Sequence, residues 1–143
     1  LIAIDVPRQI TSLTRYVLAN ADHVLLVSEP TVLCLRDTLR IRDYLVDTAK
    51  RPAPLLVLNR EGLQPKSQLT ASAFTKHVGL PVTASIAYHD EIADTVARGE
   101  PLLDNPKLKK PLEPLCLLAD TLMGMQVTAA KPKRGLAALF GEK

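Results

Sequence analysis

The sequence predicts an α/β fold in which helices flank a parallel, doubly wound sheet. First, 143 residues with 47% hydrophobic and 23% charged composition are enough for one domain with its own core. Second, only 3% of the residues are aromatic and none is Trp, so the core is built mainly from aliphatic side chains, as in helices packed on a parallel sheet. Third, short apolar runs alternate with helical patterns along the chain.

Four apolar runs predict the strands. They lack the polar alternation of a half-exposed strand, so each is expected to be buried on both faces. The runs cover residues 1–5, 23–28, 55–59 and 82–86.

Five amphipathic stretches predict the helices, in the overall order βαβαβαβαα. Pro30 suits the first turn of a helix, Pro52 and Pro54 end the long one, and Gly79 with Pro81 separates a helix from a strand. The predicted helices cover residues 12–21, 31–49, 69–78, 89–98 and 112–123.

The bulk composition excludes several classes of protein. The net charge of +3 is small and does not favour nucleic acid as a partner. Cys34 and Cys116 are far apart and have no Cys or His at metal-ligand spacing, which predicts reduced packing residues. Without a membrane-spanning run or a signal-peptide pattern, the expected location is the cytoplasm.

Polar side chains follow each predicted strand, and in a doubly wound sheet ligands bind beyond the carboxyl ends of the strands. Asp5 ends the first run and is followed by Val6 and Pro7. A carboxylate there suits a hydrated magnesium ion beside nucleotide phosphates, although a helix or turn cap explains it equally well.

Two further candidates have an ordinary structural explanation as well. The side-chain amide of Asn59, followed by Arg60, suits the edge of an adenine ring, but Asn before Gly62 is also a common turn signal. Arg36 and Asp37 are placed early in the long helix, where they pair across an interface or toward a phosphate edge, or form a solvated charged face, which is the commoner arrangement.

The order of these segments resembles the MinD/ParA family of deviant Walker A ATPases. The stretch LIAIDVPRQITSLTRYVLANADHVLLVSEPTVLCLRDTLRIRDYL is similar to the family's Walker B strand and the region after it. LLVLNR is similar to the base-recognition strand, and ASIAYHDEIADTVARGEPLL to the segment that follows the last strand. DVPR together with LRDTLRIRDYL looks most like the CpaE/TadZ branch, which helps to position and assemble Flp/Tad (type IV-b) pili.

The resemblance implies a P-loop-NTPase-like sheet and a nucleotide-dependent dimer. Asp5 would be the Walker B carboxylate and contact magnesium through water, and Pro7 would shape the switch segment. Asn59 and Arg60 would contact the adenine of ATP or ADP. Arg36 and Asp37 would lie near the homodimer or partner face, where other pilus assembly or polar localisation proteins would bind.

Two departures from the family pattern stand out. Ala87 replaces the usual proline after the last strand, and Tyr88 follows where acidic residues are common, so Tyr88 would stack on adenine or form a surface or lid residue. The chain also contains no Gly-Lys-[Ser/Thr] phosphate loop. We therefore expect residues 1–124 to be the C-terminal half of an ATPase domain whose phosphate loop lies upstream of Leu1, and ATP hydrolysis to require that loop.

Residues 125–143 predict a flexible basic tail. Leu136, Leu139 and Phe140 fall on one helical face after three basic residues, and the segment resembles the membrane-targeting helix of MinD-type proteins. Weak contact with the inner membrane or the cell pole is one expectation; a disordered tail or a segment that docks on another protein is the alternative.

Two other functions compete with the pilus ATPase. One is a nucleotide-independent scaffold of the same fold. The other is a MinD/ParA relative that serves division, flagella or DNA segregation, and the near-neutral domain does not favour a DNA binder.

Overall fold

The computed structural model describes residues 2–124, which form three strands and five α-helices; helices and strands alternate as far as β3, and the last two α-helices follow it. The strands are β1 Leu25–Ser28, β2 Leu55–Glu61 and β3 Val82–Ala87. The α-helices are α1 Ser12–Asn20, α2 Val32–Asp43, α3 Ala71–Val78, α4 Asp90–Ala97 and α5 Glu113–Leu122. A π-helix at Tyr44–Thr48 and two 3-10 helices at Leu102–Asp104 and Pro106–Leu108 complete the described elements.

The sheet is parallel and has the order β1-β2-β3. Leu26 of β1 lies opposite Leu56 of β2, and Leu58 of β2 lies opposite Ser85 of β3. Helices connect the strands, as parallel pairing requires. The predicted fold class, a parallel α/β sheet flanked by helices, is therefore confirmed.

The strand predicted for residues 1–5 is wrong. Residues 2–7 belong to no helix or strand, and Ile2 and Ile4 are 88% and 61% exposed. An apolar run becomes a strand only where a neighbouring strand satisfies its backbone N–H and C=O groups. Within residues 2–124 no strand pairs with this run.

Threonine side chains fix the starts of three helices. The hydroxyls of Thr11, Thr31 and Thr70 accept hydrogen bonds from backbone N–H groups in the first turns of α1, α2 and α3. These contacts satisfy donors that have no partner inside the helix. The predicted helix at residues 31–49 is confirmed as helical, but its last turn is the π-helix rather than a continuation of α2.

Helices α1, α2 and α3 pack against one face of the sheet. Leu26, Leu56 and Leu58 point to this face from the strands, and Phe74 of α3 and Leu45 of the π-helix meet them with no exposed surface. This closed face holds most of the buried aliphatic side chains.

Helix α5 packs against the other face. Leu118 of α5 contacts Val57 of β2 and Ala84 of β3 in a second, smaller cluster. Val27 of β1 shares this face, because its register partner is Val57, but it is 62% exposed. Among residues 2–124, α5 covers this second face over β2 and β3 and leaves it exposed over β1, so we call it the open face.

Candidate functional site

The carboxyl ends of the three strands bring polar residues to one edge of the sheet. Glu29 follows β1, Asn59 and Arg60 lie at the end of β2, and Tyr88 follows β3. The backbone N–H of Tyr88 donates to the carbonyl of Glu61 over 2.8 Å, which joins the ends of β2 and β3. The sequence predicted Asn59 and Arg60 at the end of one strand and Tyr88 after the last strand, and the structure brings these strand ends to one edge.

A β-bulge places Asn59 and Arg60. The register advances three residues on β2, from Leu58 to Glu61, while β3 advances only two, from Ser85 to Ala87. The extra residue in β2 leaves the ladder and turns its side chain away from the regular pleat. Bulges are frequent beside functional sites for this reason.

Arg60 has a backbone conformation that side chains rarely adopt. Its φ is +55°, in the left-handed region, which costs about 1–3 kcal/mol for a non-glycine residue. The Oδ1 atom of Asn59 accepts a hydrogen bond from the backbone N–H of Arg60 over 2.9 Å. That bond uses the oxygen of the Asn59 amide and turns the chain at the end of β2.

Two contacts hold Arg60 in this position. Its guanidinium Nη1 lies 3.0 Å from Oε1 of Glu29, so the ion pair links the ends of β1 and β2. The Nε2 atom of Gln68 donates to the Arg60 carbonyl over 2.9 Å, while Oε1 of the same side chain accepts from the N–H of Gly62 over 2.7 Å. Gln68 therefore fixes both sides of the loop that follows Asn59.

Tyr88 lies within the same electrostatic environment. Hydrogen bonding with Asp90 and the charge of that carboxylate raise the pKa of Tyr88, while the positive charge of Arg60 opposes the rise. The phenol therefore stays neutral at physiological pH. With 36% of its surface exposed, the ring is accessible at the edge and able to cover a flat ligand.

Asp5 and Pro7 are not brought to this edge by any regular element. Both are exposed and lie in the irregular stretch before α1. Their predicted roles, a carboxylate that contacts magnesium through water and a switch residue, stay predictions.

Arg36 and Asp37 lie on α2, with 3.7 Å between Nη2 and Oδ1. The Arg36 side chain is 78% exposed and that of Asp37 is 32% exposed, so the pair is available to a dimer or partner face. Leu136, Leu139 and Phe140 lie outside the described residues.

The described residues fit one part of a nucleotide better than another. The amide of Asn59, the Arg60 guanidinium and the Tyr88 ring offer donors and a stacking surface for a base. Within residues 2–124 there is no glycine-rich phosphate loop, and no cluster of three His, Cys, Asp or Glu side chains is placed to hold a metal ion. The residues at this edge therefore offer contacts for a base.

Sequence reasoning missed the residues that support this site. The sequence pattern assigned no role to Glu29 or Gln68, although both contact Arg60. The hydroxyl of Ser85 also donates to the Glu61 carboxylate and ties β3 to the bulged end of β2. These contacts join residues that are 6 to 31 positions apart, so a local sequence pattern does not predict them.

Comparison with solved structures gives the fold, a parallel sheet flanked by helices, a precedent. The chain is similar to the MinD cell division protein of Aquifex aeolicus, with 21% identity and a TM-score of 0.67 over 82% of this chain and 50% of that one. The sheet is MinD-like in fold. In a MinC:MinD cell division protein complex from the same organism the values are 21% and 0.68, over 85% of this chain and 51% of that one.

A third similar structure is the cell division ATPase MinD of Pyrococcus furiosus, with 24% identity and a TM-score of 0.61 over 76% of this chain and 45% of that one. The chain thus spans about half the length of the MinD chains that it matches. No protein-family model matches the sequence, and no curated protein sequence matches it. Within residues 2–124, no helix is both long and apolar enough to cross a membrane.

Proposed function

We propose that this chain supplies the base-binding half of a MinD/ParA-type positioning ATPase. Residues 1–124 form the C-terminal half of the ATPase domain in this proposal. One observation carries it: a strained bulge at Asn59 and Arg60 lies at the same carboxyl edge of a MinD-like sheet as Tyr88, close enough for the charge of Arg60 to act on the phenol. The adenine of ATP or ADP would contact these three side chains.

The exposure of β1 is an argument that a further polypeptide segment packs beside this strand. Leu25 and Val27 are 38% and 62% exposed, and the outer edge of β1 has no strand partner within the described part of the chain. Unpaired strand edges with exposed apolar residues are unfavourable in water. A phosphate-binding segment packed there would lie beside the carboxyl end of β1 and complete the nucleotide site.

We infer that the ATPase is of the CpaE/TadZ type and acts in the assembly and localisation of Flp/Tad pili. Support comes from DVPR and LRDTLRIRDYL, the segments with the strongest resemblance to that branch. Its nucleotide state would control a homodimer through the face that carries Arg36 and Asp37. The protein would act in the cytoplasm, at the inner membrane or the cell pole, with pilus assembly or polar localisation proteins as partners.

Base binding is tested in the full natural polypeptide with a fluorescent ATP analogue. Replacing Asn59 with Ala removes the amide at the end of β2, and we expect at least a tenfold loss of affinity. Asn20→Ala is the matched control, because Asn20 ends α1, where its side chain donates only to the carbonyl of Tyr16. Equal binding by both variants would remove Asn59 from the site.

The role of Asp5 is tested by magnesium-dependent ATP hydrolysis in the same polypeptide. Asp5→Ala is expected to reduce turnover at least a hundredfold, because a magnesium-positioning carboxylate acts in the transition state. Asp22→Ala is the control, since Asp22 is also an exposed aspartate in an irregular segment. Normal turnover of Asp5→Ala would reject the assignment.

A nucleotide-independent scaffold is the second candidate, and Ala87 with Tyr88 favours it, because both depart from the ATPase pattern. A scaffold would dimerise to the same extent with and without ATP in analytical ultracentrifugation. An ATPase of the proposed type would dimerise at least tenfold more tightly with ATP.

A further inference from the structure

A groove lined only by uncharged residues runs along the surface between α5 and the first 3-10 helix, on the far side of α5 from the sheet cluster. Its volume is about 460 Å³. It is lined by Pro101, Leu102, Leu103, Leu112, Leu115, Cys116 and Ala119. Leu103 is 67% exposed and Leu115 is 40% exposed, so water now covers leucine side chains that a partner would bury.

We propose that the C-terminal segment of this same chain, residues 125–143, docks in this groove and places Leu136, Leu139 and Phe140 against the leucines of α5. This inference is independent of the nucleotide proposal, since the groove does not involve the carboxyl edge of the sheet.

The segment is tethered beside the groove. Helix α5 ends at Leu122, and Gly124 has a φ of +70° with its N–H bonded to the carbonyl of Thr121 over 3.1 Å. A left-handed glycine after a helix redirects the chain away from the helix axis. The chain after Gly124 is therefore able to turn back alongside α5.

The length of the connection is sufficient. From Gly124 to Leu136 the chain reaches at most about 40 Å when extended, and about 20 Å as a flexible coil. Returning along the ten residues of α5 requires only about 15 Å. A tether of this length gives the segment an effective concentration near the groove of about a millimolar.

The C-terminal segment also matches the groove in shape and in charge. In a helical conformation, three apolar side chains at i, i+3 and i+4 form a single stripe, which suits a groove beside a helix. Asp104 adjoins the groove at Leu103, and Asp120 follows Ala119 on α5. The tail carries Lys131, Lys133 and Arg134 immediately before the stripe, opposite in sign to both carboxylates.

Cys116 lines the groove and provides the test, because a disulfide forms only when two Cα atoms approach within about 7 Å. In the full natural polypeptide with Cys34→Ser, Leu136→Cys puts a thiol on the stripe and leaves Leu139 and Phe140 in place. Ala138→Cys is the matched control, since in the proposed helical conformation position 138 would lie on the opposite side of the turn from the stripe. Disulfide formation under a mild oxidant is followed by non-reducing electrophoresis and peptide mass spectrometry.

We expect the Leu136→Cys variant to bond to Cys116 within one molecule at least tenfold faster than the Ala138→Cys variant, at a rate independent of protein concentration. Adding Leu115→Glu, or Leu103→Glu if the first variant fails to fold, is expected to remove the difference. Equal rates at the two positions, a bond only between two molecules, or a difference that survives the groove substitution would each overturn the proposal.

Discussion

The two faces of the sheet are built differently. On the closed face, α1, α2 and α3 bury Leu56, Leu58 and Phe74 completely. On the open face, α5 is the one helix of the described residues that contributes to the sheet cluster, and Val27 of β1 is 62% exposed. The difference teaches that the same strands serve two purposes: one face supplies the stability of the fold, and the other leaves room for further contacts.

Of the substitutions that compare the two faces, Phe74→Ala on the closed face is expected to lower the free energy of unfolding most. Phe74 has no exposed surface, and its removal leaves a cavity that the closed face cannot fill. The free energy of unfolding should fall by about 3–5 kcal/mol, measured by urea denaturation. Val96→Ala, at a 60% exposed position of α4, is the control and should change it by less than about 0.5 kcal/mol.

Leu118→Ala tests the open face and should lower the free energy of unfolding by less than Phe74→Ala does. Leu118 is 5% exposed, but its cluster with Val57 and Ala84 is small and lies near solvent, so the site is able to relax. We expect a loss of about 2–3 kcal/mol in the same denaturation experiment. A loss equal to that of Phe74→Ala would mean that the two faces contribute alike.

Polar contacts between α4 and the 3-10 helices hold the region beyond β3. The Nδ2 atom of Asn105 lies 3.0 Å from Oε1 of Glu91 and 3.0 Å from Oγ1 of the fully buried Thr95. Lys107 Nζ lies 3.3 Å from the other carboxylate oxygen of Glu91. Hydrogen bonds from Asn105 and then Lys107 lower the pKa of Glu91 below its ordinary value of 4.5.

This lowered pKa predicts an acid-sensitive stability. Because Glu91 binds its proton more weakly in the folded state, its contribution is complete above its unfolded pKa and is lost as pH falls through the folded pKa. The stability difference between the natural protein and Glu91→Gln should therefore be constant at neutral pH and shrink as the pH falls below about 4.5. Thermal melts from pH 7 to pH 3 measure it, and a constant difference would contradict the assignment.

Arg60→Ala should have the smallest effect on stability. The ion pair with Glu29 is partly exposed, with 58% of the arginine side chain and 34% of the glutamate side chain accessible, and such pairs contribute about 0–1 kcal/mol. The substitution leaves the left-handed φ at this position unrelieved. Arg60→Gly, which removes that strain, should be at least as stable as Arg60→Ala in urea denaturation. If Arg60→Ala were more stable than Arg60→Gly, the backbone at position 60 would not be strained.

The sequence predicted the parts of the fold that depend on local pattern. The apolar runs that became β1, β2 and β3 were recognised, because burial between helices leaves a continuous hydrophobic stretch. The run at residues 2–5 has the same composition and is not a strand, because strand formation depends on a partner that the run itself does not encode. Periodicity likewise did not distinguish the π-helix at Tyr44–Thr48 from α-helix.

The sequence predicted where the residues of the candidate site lie along the chain, but not the contacts between them. Asn59, Arg60 and Tyr88 were placed at one edge, because parallel strands must end together. The bulge was not predicted, since it becomes visible only when β2 is aligned with β3. The ion pair to Glu29 and the contacts of Gln68 join separate loops, and their formation depends on the completed sheet.

The outer edge of β1, which has no strand partner among residues 2–124, has a practical consequence for anyone who purifies this polypeptide. Its backbone N–H and C=O groups, beside the exposed Val27, are a template on which the same strand of a second molecule can pair. Self-association through such an edge grows with concentration and ends in precipitation. Light scattering should therefore rise steeply as a sample of residues 1–124 is concentrated, and a lysine in place of Val27 should raise its solubility limit.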